Sequence, residues 1–214
     1  MKTFIWDLPL RLFHWGLVVL VSYAWISVEI LENLDHHFYS GYGILALLIF
    51  RVIWGFVGPE HARFKSFIKS PSHLIKYLRG NTPESGGHNP LGAFSVIAML
   101  LVLLAQAVSG LFSDDEYYYF GPLTSLVSSE TVGMMSNFHH LNSNIIWTLI
   151  AIHLLAIIFY ELVKKQRLIM AMITGYKWDE TNRFKKIVNS KIGRALVAMA
   201  VATAMVYGIV SLGN

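Results

Sequence analysis

Five apolar stretches, each about as long as a bilayer is thick, govern what this chain can fold into. They run over roughly 12–31, 37–57, 91–113, 138–162 and 193–212, and a helix needs about 20 residues to cross the hydrocarbon. Inside lipid every backbone N–H and C=O must find its partner within the segment, so stretches of this length fold as helices. Composition agrees: 14% of the 214 residues are charged and 55% are hydrophobic, against about 25% charged in soluble domains. The expectation is an all-α integral membrane protein, residues 1–214 forming one domain with no internal repeat. The first stretch is too long and too aromatic for a signal peptide, and it reads as a retained helix.

Charge fixes the expected orientation. The 17 Lys and Arg residues gather at the N-terminus with Arg11, between Arg51 and Arg79, and between Lys164 and Arg194. The connection 29–48, the segment 114–138 and the tail after the last stretch have none. Those first two segments carry Glu29, Glu32, Asp35, Asp114, Asp115, Glu116 and Glu130 instead. The positive-inside rule then puts the N-terminus and both long basic loops on the cytoplasmic side, with the acidic loops and the C-terminus outside. The isoelectric point near 9.2 is a topology signature that calls for no nucleic-acid partner, and the basic loops would meet the anionic surface of the lipid bilayer.

The loops are read more coarsely. A helical piece over Ser72 to Leu78 is followed by breaker-rich sequence at 80–83 and 86–90, where Asn89-Pro90 fits a helix start. The outer loop turns aromatic at Tyr117, Tyr118, Tyr119 and Phe120, as an interfacial belt does. A surface helix is expected around 165–173.

Histidines inside the apolar stretches carry the chemistry. A fourteen-residue step from His139 to His153 returns to nearly the same helix face about 21 Å away, whereas His140 faces the opposite way. Topology sorts four histidines by depth: His14 and His153 toward the inner side, His37 and His139 toward the outer. Facing imidazoles at two stacked levels suit two b-type haems, each iron held by two neutral rings. A lone intramembrane histidine is often a packing residue, and helix-end histidines are commonly interfacial, but ionisable groups within a membrane are functional by default. His36, His140, His61 and His73 read as interfacial or solvated. The doublets 36/37 and 139/140 leave a one-residue shift open.

Other residues fit the same reading. Gly41, one turn after His37, removes a side chain where a flat macrocycle would press on the helix, though packing through a small residue explains it equally well. Arg51 and Arg11, on the inner side, suit either a haem propionate or snorkelling to the surface. With no cysteine in the chain, iron–sulfur ligation and covalent haem attachment are excluded.

Trp6-Asp7-Leu8-Pro9-Leu10-Arg11-Leu12-Phe13-His14-Trp15 resembles the opening of the bacterial cytochrome b561 family, in particular the branch of nickel–iron hydrogenase cytochrome b subunits. So do His37 with Gly41-Tyr42, the run from Arg51 to Gly58, Gly87-His88-Asn89-Pro90, the His139/His153 pair and the run from Met170 to Lys177. The resemblance covers nearly the whole chain. It implies four haem-binding core helices plus a fifth C-terminal transmembrane helix in the bacterial inner membrane. The family's ligand positions fall on His14, His37, His139 and His153, and membrane quinone is the implied exchangeable substrate. His88 and Asn89 are candidates for quinone hydrogen bonding, although a helix cap and turn accounts for them slightly better. A short outer loop weighs against direct assembly with a large hydrogenase, and the acidic outer face suits a basic c-type cytochrome. Whether two copies pair as a homodimer is left open.

Two other readings compete. One is oxidation of outer superoxide with electrons passed to quinone, which an acidic outer face opposes by repelling the anion. The other is a haem-free anchor or proton-relaying transporter, although paired repeats and broken helices are missing from the sequence.

Overall fold

Leu8–Glu29 forms the first long helix, α1, and Leu34–Val57 the second, α2. The computed structural model describes residues 2–67, 72, 90–178 and 191–213. The stretch 73–78 of the expected surface piece, together with His73, His88 and Asn89, lies outside the described residues. Three further long helices follow: α4 (Pro90–Leu111), α5 (Ser129–Leu162) and α7 (Ile192–Ser211). All five are long and apolar enough to cross a membrane. The short α3 (Phe64–Phe67) lies between α2 and α4 and α6 (Leu168–Thr174) between α5 and α7, and α6 overlaps the surface helix expected around 165–173.

Local chemistry sets the helix ends. Pro9 sits in the first turn of α1, where its missing N–H costs nothing. Asn33 caps α2 by accepting from the His36 N–H at 3.1 Å, and Ser128 caps α5 through the Thr131 N–H. Helix α5 therefore begins nine residues before its apolar stretch, because its first turns are polar and extend beyond the hydrocarbon. Gly175 ends α6 in the left-handed region, at φ +85°. A side chain there would also strike the Phe4 ring and the Trp6 carbonyl.

Packing divides the bundle. Helix α2 is central and packs on α1, α4 and α7, while α5 packs chiefly on α4 and has no extended contact with α1 or α2. Gly16 lies against Leu47 and Gly43 against Leu20, so α1 and α2 approach closely through small residues. Helix α7 buries Ala195, Ala198, Ala202 and Val206, three of which join Phe50 and Trp54 in the inner core. What remains is a cleft between α1/α2 and α5.

One feature departs from a pure helical bundle. Strand β1 (Lys2–Phe4) pairs antiparallel with β2 (Tyr176–Trp178), the residues just after α6. The N–H groups of Ile5 and Trp6 also donate to the Gly175 carbonyl. This ribbon ties the segment before α1 to the segment after α6.

Candidate functional site

His37 comes from the second turn of α2 and His139 from α5, and their rings meet across the cleft with centroids 6.0 Å apart. An imidazole nitrogen binds a first-row metal at about 2.0–2.1 Å, so two rings sharing one metal from opposite sides have centres about 6 Å apart. Both rings are held at the far nitrogen. His37 Nδ1 lies 2.9 Å from the Ala24 carbonyl, and His139 Nδ1 lies 3.0 Å from the Gln106 carbonyl and 3.1 Å from Ser109 Oγ. A carbonyl only accepts, so in each ring Nδ1 carries the hydrogen and Nε2 keeps a free lone pair. That tautomer is the one a metal requires, held by the kind of partner that usually orients a ligating histidine.

The cavity beside these rings has a volume of about 310 Å³ and is lined largely by apolar groups, among them Val21, Trp25, Ile146 and Trp147. Gly41 and Gly110 also line it. A Cβ on Gly41 would meet nothing within 4 Å, and one on Gly110 would come 3.0 Å from His139 Cε1. Gly41 leaves a cradle open, and Gly110 leaves room for the ring itself. These features fit a flat macrocycle, which His37 and His139 would hold through Nε2.

The doublets differ in exposure, although His140 lines the same cavity as His139. His36 is exposed, and its Nδ1 pairs with the Tyr23 hydroxyl at 2.8 Å. His140 is likewise exposed, while His37 and His139 are partly buried. Among the described residues no group of three His, Asp or Glu could hold a metal ion, so a ligating pair is what this cleft offers.

At the inner level His14 on α1 and His153 on α5 are within electrostatic reach of each other. The His14 ring stands edge-on to Trp15, with centroids 5.0 Å apart, and its Nδ1 is buried without a hydrogen-bond partner. Arg51 is 2% exposed. Its guanidinium lies 4.8 Å from the Phe64 ring centroid and 5.9 Å from that of Phe67, and Nη1 has no partner. Gly55 makes room for Phe64, whose ring fills the space a Cβ would take. Arg11 donates from Nη1 to the Ile173 carbonyl in the last turn of α6, where a cation also meets the helix dipole, while its Nε is buried and unpartnered. Snorkelling therefore does not describe Arg51. Two guanidinium groups with unpaired nitrogens fit the carboxylates of a haem edge.

Around these, Asp7 is 1% exposed, and burial raises its pKa above 3.8 despite the Trp54 hydrogen bond and the nearby Arg51 charge. His61, read from the sequence as interfacial or solvated, has its Nδ1 buried, and burial lowers its pKa below 6.5. Residues that the sequence reading missed are Ser27, Ser109, Gln106, Asn142 and Gly110. Asn142 Nδ2 donates to Gln106 Oε1 at 2.8 Å and to the Val102 carbonyl at 3.0 Å, joining α4 to α5 beside His139. The available signal was polar residues in otherwise apolar helices.

A family model described as prokaryotic cytochrome b561 matches residues 5–175. The chain is 26% identical over 213 residues to a probable Ni/Fe-hydrogenase B-type cytochrome subunit of Rhizobium leguminosarum bv. viciae, covering 81% of this chain and 88% of that protein. It is 25% identical over 222 residues to the protein of that description in Azotobacter vinelandii, covering 85% and 90%. No solved structure matches the chain.

Proposed function

Because the chain belongs to the prokaryotic cytochrome b561 family, we propose that it carries electrons across the bacterial inner membrane between the quinone pool and a periplasmic redox partner, using two b-type haems. At the coarser level it is a multi-pass membrane b-type cytochrome of electron transport. The observation that carries the finer reading is the His37/His139 pair, 6.0 Å apart with both Nδ1 atoms bonded to carbonyls.

Each haem, when bound, supplies a one-electron couple whose potential answers to its ligands, burial and nearby charge. The protein's own residues supply the rest. His37 and His139 would hold the outer haem, and His14 and His153 the inner one. The unpaired nitrogens of Arg51 and Arg11 would receive inner carboxylates, and Gly41 leaves the outer macrocycle its space. Trp25 and Trp147, whose rings stand 5.5 Å apart and edge-on, form part of the apolar wall of the outer cavity.

Orientation follows from the positive-inside distribution, with the N-terminus cytoplasmic and the C-terminus periplasmic. The names of the relatives favour hydrogenase subunits as the outer partner. The acidic outer segments also suit a basic c-type cytochrome. For quinone, His88 and Asn89, which precede α4 in the sequence, remain the candidates.

The decisive experiment is a dithionite-reduced minus air-oxidised spectrum with pyridine haemochrome quantitation on the purified full-length protein. Two haems per chain are expected, with His139→Ala and His153→Ala each removing one. Absence of a Soret band in protein expressed with ample haem would overturn the proposal.

A further inference from the structure

Ser27 and Ser109 are among the few polar side chains buried within the described helices, at 0% and 2% exposure. They occupy matching positions on α1 and α4. Ser27 Oγ donates to the Ala24 carbonyl at 2.8 Å, and Ser109 Oγ donates to the Gln106 carbonyl at 3.0 Å. These carbonyls are the same two that receive His37 and His139. The arrangement of serine, carbonyl three residues earlier and imidazole from another helix thus occurs twice, once for each outer histidine.

A helical carbonyl normally points along the axis toward the N–H four residues on. To accept from a ring on another helix it must tip outward, and a serine that bonds back to the preceding turn bends the helix locally. We propose that Ser27 and Ser109 are paired positioning residues, holding the Ala24 and Gln106 carbonyls turned toward His37 and His139 and thereby setting how electron-rich each Nε2 is. The inference rests on the bis-histidine reading of this pair. A hydrogen bond at the far nitrogen makes a histidine ligand more basic, and a more basic ligand favours ferric over ferrous iron. Removing either hydroxyl lets the carbonyl realign with the helix axis, weakens the imidazole bond and raises the outer midpoint potential. Ser109 adds a second effect of the same sign, because its own oxygen lies within reach of His139 Nδ1. His14, whose Nδ1 has no partner, provides the internal contrast.

The test uses full-length protein in nanodiscs carrying Ser27→Ala or Ser109→Ala, with Ser27→Thr and Ser109→Thr restoring the hydroxyl. Potentiometric titration should show one midpoint raised and the other unmoved in each Ala variant. The expected change is up to tenfold in the reduction equilibrium, or 59 mV for a one-electron couple, and the Thr variants should recover it. Imidazole ¹⁵N NMR on the reduced, low-spin protein should show a weaker Nδ1–H hydrogen bond in the Ala variants, as a shift of the Nδ1 resonance. Outer midpoints that stay put or fall in both Ala variants overturn the inference. If His139→Ala also leaves the haem content intact, the bis-histidine reading fails with it; loss of a haem in His139→Ala leaves that reading standing alone.

Discussion

Trp54 Nε1 donates to Asp7 Oδ2 across 2.9 Å, joining the inner end of α2 to the residue that begins α1. Both side chains are essentially closed to solvent. Asp7→Leu should leave the indole N–H unpaired and cost ~1–3 kcal/mol, seen as a lower melting temperature by circular dichroism. Asp7→Asn keeps an acceptor and should cost less. Burial raises the Asp7 pKa above 3.8, so the fold favours the protonated carboxyl. Its contribution is full below the unfolded pKa and is lost as pH rises through the folded one. The Asn variant should flatten that pH dependence.

Filling the outer cradle should expel its contents without unfolding the bundle. Gly41→Leu would project into open space beside His37, and Gly110→Ala would press on His139 Cε1. Each variant should keep its helical content and the inner haem while losing the outer one. Haem-to-protein ratios check this, and retention of both haems in Gly41→Leu would contradict the assignment of the cavity.

Arg51→Met tests the inner level. The substitution takes the compensating cation away from the buried Asp7 carboxyl, and removing one partner of a buried charge pair destabilises a fold, so the melting temperature should fall. The inner midpoint should fall, because a nearby cation favours the reduced state. An unchanged midpoint would remove Arg51 from the site.

The aromatic tongue of the outer loop depends on one carboxylate. Asp115 Oδ1 accepts from the backbone N–H groups of Tyr117, Tyr118 and Tyr119 at 3.0, 2.9 and 2.8 Å. These bonds, that of Tyr119 foremost, hold its pKa below 3.8. The stabilisation is present above the unfolded pKa and is lost as pH falls through the folded one. Asp115→Ala should therefore speed hydrogen exchange at those three amides at neutral pH while the helices stay protected.

Ala202 is fully buried where α7 meets the core. Ala202→Leu should overpack that contact and cost ~1–3 kcal/mol, with both haems retained, since no candidate ligand lies on α7.

What the sequence disclosed follows from scale. Spans of twenty apolar residues leave a signal that no single substitution erases, and all five appear as helices. The start of α5 at Ser129 was hidden, because its polar first turns look like loop until the Ser128 cap is seen. Helical phase and topology together brought His37 opposite His139 on paper, but only packing distinguishes inward His37 from its exposed neighbour His36. Three-residue strands such as β1 and β2 carry no periodicity, and their pairing spans most of the chain. Ser27 and Ser109 were illegible for another reason: an isolated hydroxyl in an apolar helix looks merely tolerated until its carbonyl and the ring beyond come into view.

The ribbon between Lys2–Phe4 and Tyr176–Trp178 has a consequence for biosynthesis. The first strand leaves the ribosome long before its mate exists, and the carbonyl of Ile173 that receives Arg11 is made just as late. The N-terminal segment must therefore wait, unpaired, while four helices enter the bilayer. That end of the bundle closes only after translation passes residue 178, so the Lys2–Phe4 segment is among the last to reach its final place.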